Sequence, residues 1–165
     1  MAKIIALPHP LASRNDSIYA ITVPTVVIDT NVFVSALRSD GGASRKVLRL
    51  ALQGRLQPIF GNALWAEYCA LLGRDIWGDD TLASEREEVL AALASVSRWV
   101  RVYFAWRPNL PDEADNHLIE VAVAGGAAAV ITHNTRDLGA GELSFDGIKI
   151  VTPGDFMQTL FGAEQ

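Results

Sequence analysis

The sequence predicts an α/β protein, a three-layer α/β/α sandwich around a central, mainly parallel sheet, and three observations lead there. Short apolar runs rich in β-branched residues alternate with segments of helical spacing from Thr25 onward, a pattern that favours right-handed βαβ units with crossover helices on both sheet faces. At 165 residues and 50% hydrophobic content, the chain suits one compact core better than two. Several carboxylates directly follow the strand runs, at the edge where sheets of this kind gather ligands.

Residues 1–24 read as an N-terminal extension in which "HPLASRND" is loop between two apolar pieces. The domain proper spans 25–160, and 161–165 form a tail. The first strand is "TVVI" at Thr25 to Ile28, followed by the glycine-marked loop "SDGGAS" and a helix through Val47, Leu48, Ala51 and Leu52. A strand at "RLQPIF" leads into the helix "GNALWAEYCALLGR", with Asn62 as the expected N-cap and Gly73 as the stop. In the next helix Ser84 and Glu87 have the spacing of a capping box, and Leu90, Leu93 and Val96 belong to an apolar stripe. A strand near "WVRVYF", a helix over "PDEADNHLIEVAVAGG" and strands at "AAAVIT" and "IKIVT" complete the pattern.

Composition narrows the chemistry. Nineteen acidic and fourteen basic residues give a formal charge of -5, which opposes wrapping of nucleic acid by a wholly basic surface and leaves room for a local basic face. Cys69 is the only cysteine, so neither an internal disulfide framework nor a cysteine-rich zinc site is available, and a reducing cytoplasm fits best. The start "MAKIIALPHP" is a poor signal peptide. No segment approaches the ~20 apolar residues of a membrane-spanning helix. His9, His117 and His133 share no metal-ligand spacing and read as structural or surface residues. No G-x-S-x-G stretch marks a serine hydrolase, and "GGAS" lacks the spacing and lysine of a phosphate-binding loop. The four tryptophans, Trp65, Trp77, Trp99 and Trp106, read as core or interface residues before base-stacking ones.

Four carboxylates stand out. Asp29 ends the first strand run, where an ionised group is costly to desolvate without compensation. It is either a turn or cap aspartate or a ligand, and Asn31 can orient it in both cases. Glu67 lies on the helix stripe of Leu64, Tyr68, Leu71 and Leu72 and points toward the core side; a solvated edge position or a pairing with Arg74 is the plainer reading. Asp112 and Asp115 have the spacing of a helix cap and its first-turn partner; assigning the cap to Asp112 leaves Asp115 and Asn116 facing the strand ends. "VITHNTRDL" delivers Asn134 and Asp137 beyond another strand, where Asp137 can also be a cap. Together these acids would crowd one sheet edge, and like charges within ~4 to 6 Å raise each other's pKa or demand a cation. Oxygen ligation without paired histidines or cysteines points to a hard divalent ion, Mg²⁺ or Mn²⁺.

The blocks "VVIDTNVFVSAL", "EYCALL", "DEADNHLIEVAVAGGAAAVITHNTRDL" and "IVTPGDF", in this order, resemble a PIN domain, most closely the PIN-domain toxins of bacterial toxin-antitoxin systems. The resemblance covers roughly Thr25 to Phe156 and implies a metal-dependent endoribonuclease with an acidic pocket at the strand ends. By position it makes Asp29, Glu67, Asp115 and Asp137 the four acids, with Asn31 and Thr132 as polar residues holding the pocket. Many relatives carry aspartate where this chain has Asn134, so Asn134, Asp137 or both would face the metal. Asp29 and Asp115 are then expected as direct ligands, and Glu67 or Asp137 as the group that orients water or takes its proton. The resemblance also implies a cognate antitoxin and a homodimer.

An acidic pocket repels phosphate unless cations flank it, which nominates Arg38, Arg45, Lys46, Arg74 and Arg136 as RNA-facing. Other classes share parts of this pattern: a phosphatase or receiver-like domain with a nucleophilic aspartate, a nuclease acting on DNA, or a catalytically silent PIN-like interaction module.

Overall fold

A computed structural model of the chain describes residues 22–79, 81–103, 115–140 and 145–161. Within them, five strands form one sheet: β1 (Thr25–Ile28), β2 (Gln57–Phe60), β3 (Arg98–Trp99), β4 (Ala129–Ile131) and β5 (Lys149–Val151). Their order across the sheet is β3-β2-β1-β4-β5, with every pairing parallel. Seven helices alternate with them: α1 (Thr30–Arg38), α2 (Ala43–Leu52), α3 (Asn62–Leu72), α4 (Ala83–Val96), α5 (Asn116–Gly125), α6 (Thr135–Gly139) and α7 (Pro153–Phe161). This is the three-layer α/β/α architecture expected from the strand and helix alternation.

β1 is central and buried from Val26 to Ile28, as a parallel strand covered on both faces must be. Its register pairs Ile28 with Ile131 of β4, and the ladder runs one step further through the Asp29 N–H, which donates to the Ile131 carbonyl at 3.0 Å. Asp29 and Thr132 therefore leave the sheet side by side.

α1 follows β1 without a loop, a turn of structure the sequence reading did not anticipate. The Asp29 carbonyl accepts from Val32 N–H at 3.0 Å and opens the helix, and Val32, Phe33, Ala36 and Leu37 are all buried, the i, i+1, i+4, i+5 spacing of one helical face. The β-branched "VFV" disguised that face. Other boundaries shift by a residue or two. Gly61 rather than Asn62 precedes α3, while Gly73 does close it. At α4 the helix begins earlier than the Ser84/Glu87 spacing suggested: the Glu85 carboxylate accepts from the Leu82 N–H at 3.0 Å. β3 is shorter than expected, and part of the "WVRVYF" run falls outside the described residues, as do Asp112, Trp106, His9, residues 1–21 and 162–165.

Two glycines set α5 in place. Gly126 takes the left-handed conformation, φ 61°, at the helix end, where glycine carries no Cβ penalty. Gly125 packs directly on Ile59 of β2, so that a Cβ there would collide with the Ile59 Cδ1. α5 can thus lie close across β1, β2 and β4. Among the described residues no helix is long and apolar enough to cross a membrane.

Candidate active site at the strand ends

The carboxyl ends of β1 and β4, with the inner face of α3 and the start of α5, build the site. Tyr68 anchors it from below. It is fully buried on α3, between Phe33 and Phe60 in edge-to-face contacts with ring centroids 5.2 and 5.1 Å away. Its hydroxyl donates to the Ile28 carbonyl at 2.8 Å, tying α3 to the last residue of β1. Burial, then the negative charges of Asp29 and Glu67, push the Tyr68 pKa well up, so the phenol stays a donor.

Asp29 occupies the N-cap position of α1, and the Asn31 backbone N–H is among the donors that favour its ionised form. Its carboxylate turns to β4, where Oδ2 accepts from Thr132 Oγ1 at 2.6 Å and from Asn31 Nδ2 at 2.9 Å. Asn31 in turn is fixed by the His133 N–H, which donates to its Oδ1 at 3.2 Å. Oδ1 of Asp29 has the long 3.4 Å approach of Thr30 Oγ1, and that hydroxyl's single proton is committed to Glu67 Oε1 at 2.6 Å. Asp29 is buried, and desolvation raises its pKa; the Thr132 hydrogen bond opposes this and the Glu67 charge adds to it.

Glu67 comes from the side of α3 next to Tyr68 and is half-buried. Its Oε2 meets His117 Nε2 at 2.8 Å. The His117 hydrogen bond is the largest of several influences that hold its pKa below the ordinary value, with Thr30 and the positive charge of Arg74 acting the same way against burial. His117 is the participant sequence reasoning missed, together with Thr30. The available signal was position: His117 lies two residues after Asp115, on the helix start already expected to face the strand ends.

The remaining nominated acids stand differently. Asp115 is half-buried at the N-cap of α5, without a side-chain cap hydrogen bond. Asp137 is exposed in the first turn of α6, a place where a carboxylate complements the helix dipole. Asn134 is the N-cap residue of α6, and its N–H donates to Thr132 Oγ1 at 3.0 Å. Among the described residues no group of three or more His, Cys, Asp and Glu side chains forms a ready metal cage.

Of the five basic residues proposed to face RNA, Arg38, Lys46, Arg74 and Arg136 are exposed. Arg45 differs from them: it is buried, donating to the Ser39 carbonyl at 2.7 Å and closing the end of α1. Its place on α2 next to Val47 and Leu48 turns it inward, and its Nη1 donates to the Ala36 and Ser39 carbonyls.

A sequence model of the PIN domain matches residues 25–136. Among solved structures, a chain of VapBC2 from Rickettsia felis, crystallised bound to a DNA fragment from its promoter, has a similar fold with a TM-score of 0.53. The sequences are 11% identical, and the alignment covers 78% of this chain and 98% of that one. No curated protein matches the sequence.

Proposed function

The chain belongs to the PIN-domain family, and on that premise we propose that it is a divalent-metal-dependent endoribonuclease acting as the toxin of a toxin-antitoxin pair. PIN domains are generally nucleases, so phosphodiester hydrolysis is the coarse activity. The observation that carries the finer reading is Asp29: a buried carboxylate with one oxygen held by Thr132 and Asn31 and the other joined to the Glu67 carboxylate through the Thr30 hydroxyl.

The donor set fits a hard cation. Mg²⁺ is commonly bound by one or two carboxylates, with water and substrate phosphate completing the octahedron, so a closed protein cage is not required. Asp29 would be the principal ligand, Glu67 and Asp115 its companions, and Asp137 would reach the metal or the attacking water only from the rim. When bound, Mg²⁺ or Mn²⁺ would polarise the phosphodiester and acidify the attacking water. Thr132 and Asn31 fix the Asp29 carboxylate, and Thr30 and His117 fix that of Glu67. Glu67, kept ionised by His117, is suited to accept a hydrogen bond from water and orient it. Arg38, Lys46, Arg74 and Arg136 would offset the repulsion between the acids and the RNA backbone.

The fold shared with a VapBC2 chain supports a protein antitoxin as partner, with homodimerisation and a cytoplasmic setting following from the toxin reading. Incubating the purified protein with RNA in Mg²⁺ or Mn²⁺ tests it. Cleavage should require the ion and vanish in Asp29→Asn, and growth arrest on expression should be relieved by Asp29→Ala. Cleavage that survives Asp29→Asn overturns the assignment. A second reading, a catalytically silent module, rests on Asn134 standing where many relatives carry aspartate, and would show neither metal binding nor cleavage.

A further inference from the structure

A cavity of about 610 Å³ opens where β2 and β3 end, lined by residues of α3, α5 and the segment after β3. Its size lies within the range of small-molecule sites, ~300 to 1,000 Å³. His117 belongs both to this cavity and to the acidic site, where it touches Glu67. The two are therefore neighbours.

Three lining side chains have no hydrogen-bond or ion-pair partner among the described residues: Asn62, Arg101 and Tyr103. Tyr103 is 78% exposed, the most exposed large hydrophobic side chain described. Asn62 and Arg101 are exposed as well. Their chemistries are complementary to three parts of one ligand. An aromatic face takes a planar ring, an amide takes its hydrogen-bonding edge, and a guanidinium takes an anionic oxygen. A nucleotide has all three. Its base must be unpaired to lie on Tyr103, because a duplex keeps both faces stacked and the pairing edge occupied.

We propose that this cavity receives an unpaired nucleotide of single-stranded RNA adjoining the acidic site, its base on Tyr103, its edge at Asn62 and a phosphate at Arg101. The proposal rests on the RNA-nuclease reading for the identity of the strand, and adds where that strand is gripped and why it must be single.

Fluorescence anisotropy with labelled oligouridylate and oligoadenylate, and Ca²⁺ in place of Mg²⁺ so that binding is read without turnover, tests it. Tyr103→Ala should weaken binding about 5- to 150-fold, the usual loss for a stacked base, while Tyr103→Phe keeps it. Asn62→Ala should change the ratio between the two oligomers. Arg101→Gln should reduce the slope of log K against log salt by about one phosphate contact. Wild-type affinity in Tyr103→Ala, equal Tyr103-independent binding of a duplex, or binding of a basic peptide but of neither oligomer overturns the proposal. Tyr103-dependent binding without cleavage in Mg²⁺ or Mn²⁺ would leave the subsite standing and remove the nuclease; cleavage with Tyr103-independent binding does the reverse.

Discussion

Thr132→Val offers a sharp test of how Asp29 is held. Thr132 is fully buried, and its hydroxyl donates to the Asp29 carboxylate at 2.6 Å. A hydrogen bond to a charged group contributes ~1.5 to 3 kcal/mol; valine keeps the shape and removes the donor. At ~2 to 4 °C per kcal/mol for a domain of this size, the melting temperature should fall by about 3 to 12 °C at neutral pH. Valine also deprives the Asn134 N–H of its acceptor at 3.0 Å and the Asn31 amide of one at 3.3 Å, so the single mutant mixes three losses. A cycle with Asp29→Ala separates them, because only the Asp29 part disappears in the alanine background. Urea unfolding of the four proteins in EDTA should give a coupling of ~1.5 to 3 kcal/mol. The coupling should shrink in acid, once Asp29 is protonated and the bond no longer involves a charge. A coupling within ~0.5 kcal/mol of zero at neutral pH would refute the argument that Thr132 compensates a buried carboxylate.

Two further outcomes follow from the same geometry. A divalent ion that binds only the folded chain stabilises it by ~2.7 kcal/mol at a hundred times its Kd, so thermal melts with Mn²⁺ should shift upward by ~5 to 11 °C, and Asp29→Asn should abolish the shift; an equal shift in the variant would place the ion elsewhere. Gly125→Ala sets a methyl against Ile59 and should cost ~1 to 3 kcal/mol by overpacking, read by denaturant unfolding.

Much of the architecture was legible because strand and helix periods are local properties. β1, β2, β4 and β5 fall within the runs read from the sequence, and Gly73 and Gly126 end helices where expected. α1 was missed because "NVFVSAL" is β-branched and apolar enough to pass for strand; what makes it helical is the burial of one face, a tertiary fact. The capping register at α4 failed for a different reason. Its N-cap position is Leu82, which has no capping oxygen, and only Glu85 reaching back to the Leu82 N–H reveals the start. Arg45 shows that following a strand closely says nothing about which helix face a residue takes. In the site, Asp29 and Asn31 were legible beside a strand end and Glu67 on an inward helix stripe, while Thr132 came only with the family resemblance. His117 was not legible, since its partner lies fifty residues away and no spacing rule joins them.

The two acids that meet here are compensated in opposite ways, and that difference predicts opposite responses to neutralisation. Glu67 has His117, Thr30 and Arg74 favouring its ionised form. Its folded pKa is depressed, so it adds stability above its unfolded pKa, and that contribution is lost as pH falls through the folded value. Asp29 is surrounded by burial, the Glu67 charge and neutral donors, and its folded pKa is raised. Its ionisation therefore costs stability as pH rises from the unfolded value through the raised one. In EDTA at neutral pH, Asp29→Asn should stabilise the protein, since an amide oxygen still accepts from Thr132 while the buried charge is gone. Glu67→Gln should destabilise it by removing the negative charge that His117, Thr30 and Arg74 favour. With saturating Mn²⁺ the Asp29→Asn advantage should shrink or reverse, because the cation supplies to wild-type Asp29 the compensation that its neutral neighbours do not. Denaturant midpoints for the two variants, with and without the ion, distinguish this from a merely structural polar cluster, in which both substitutions would destabilise alike and the ion would change neither.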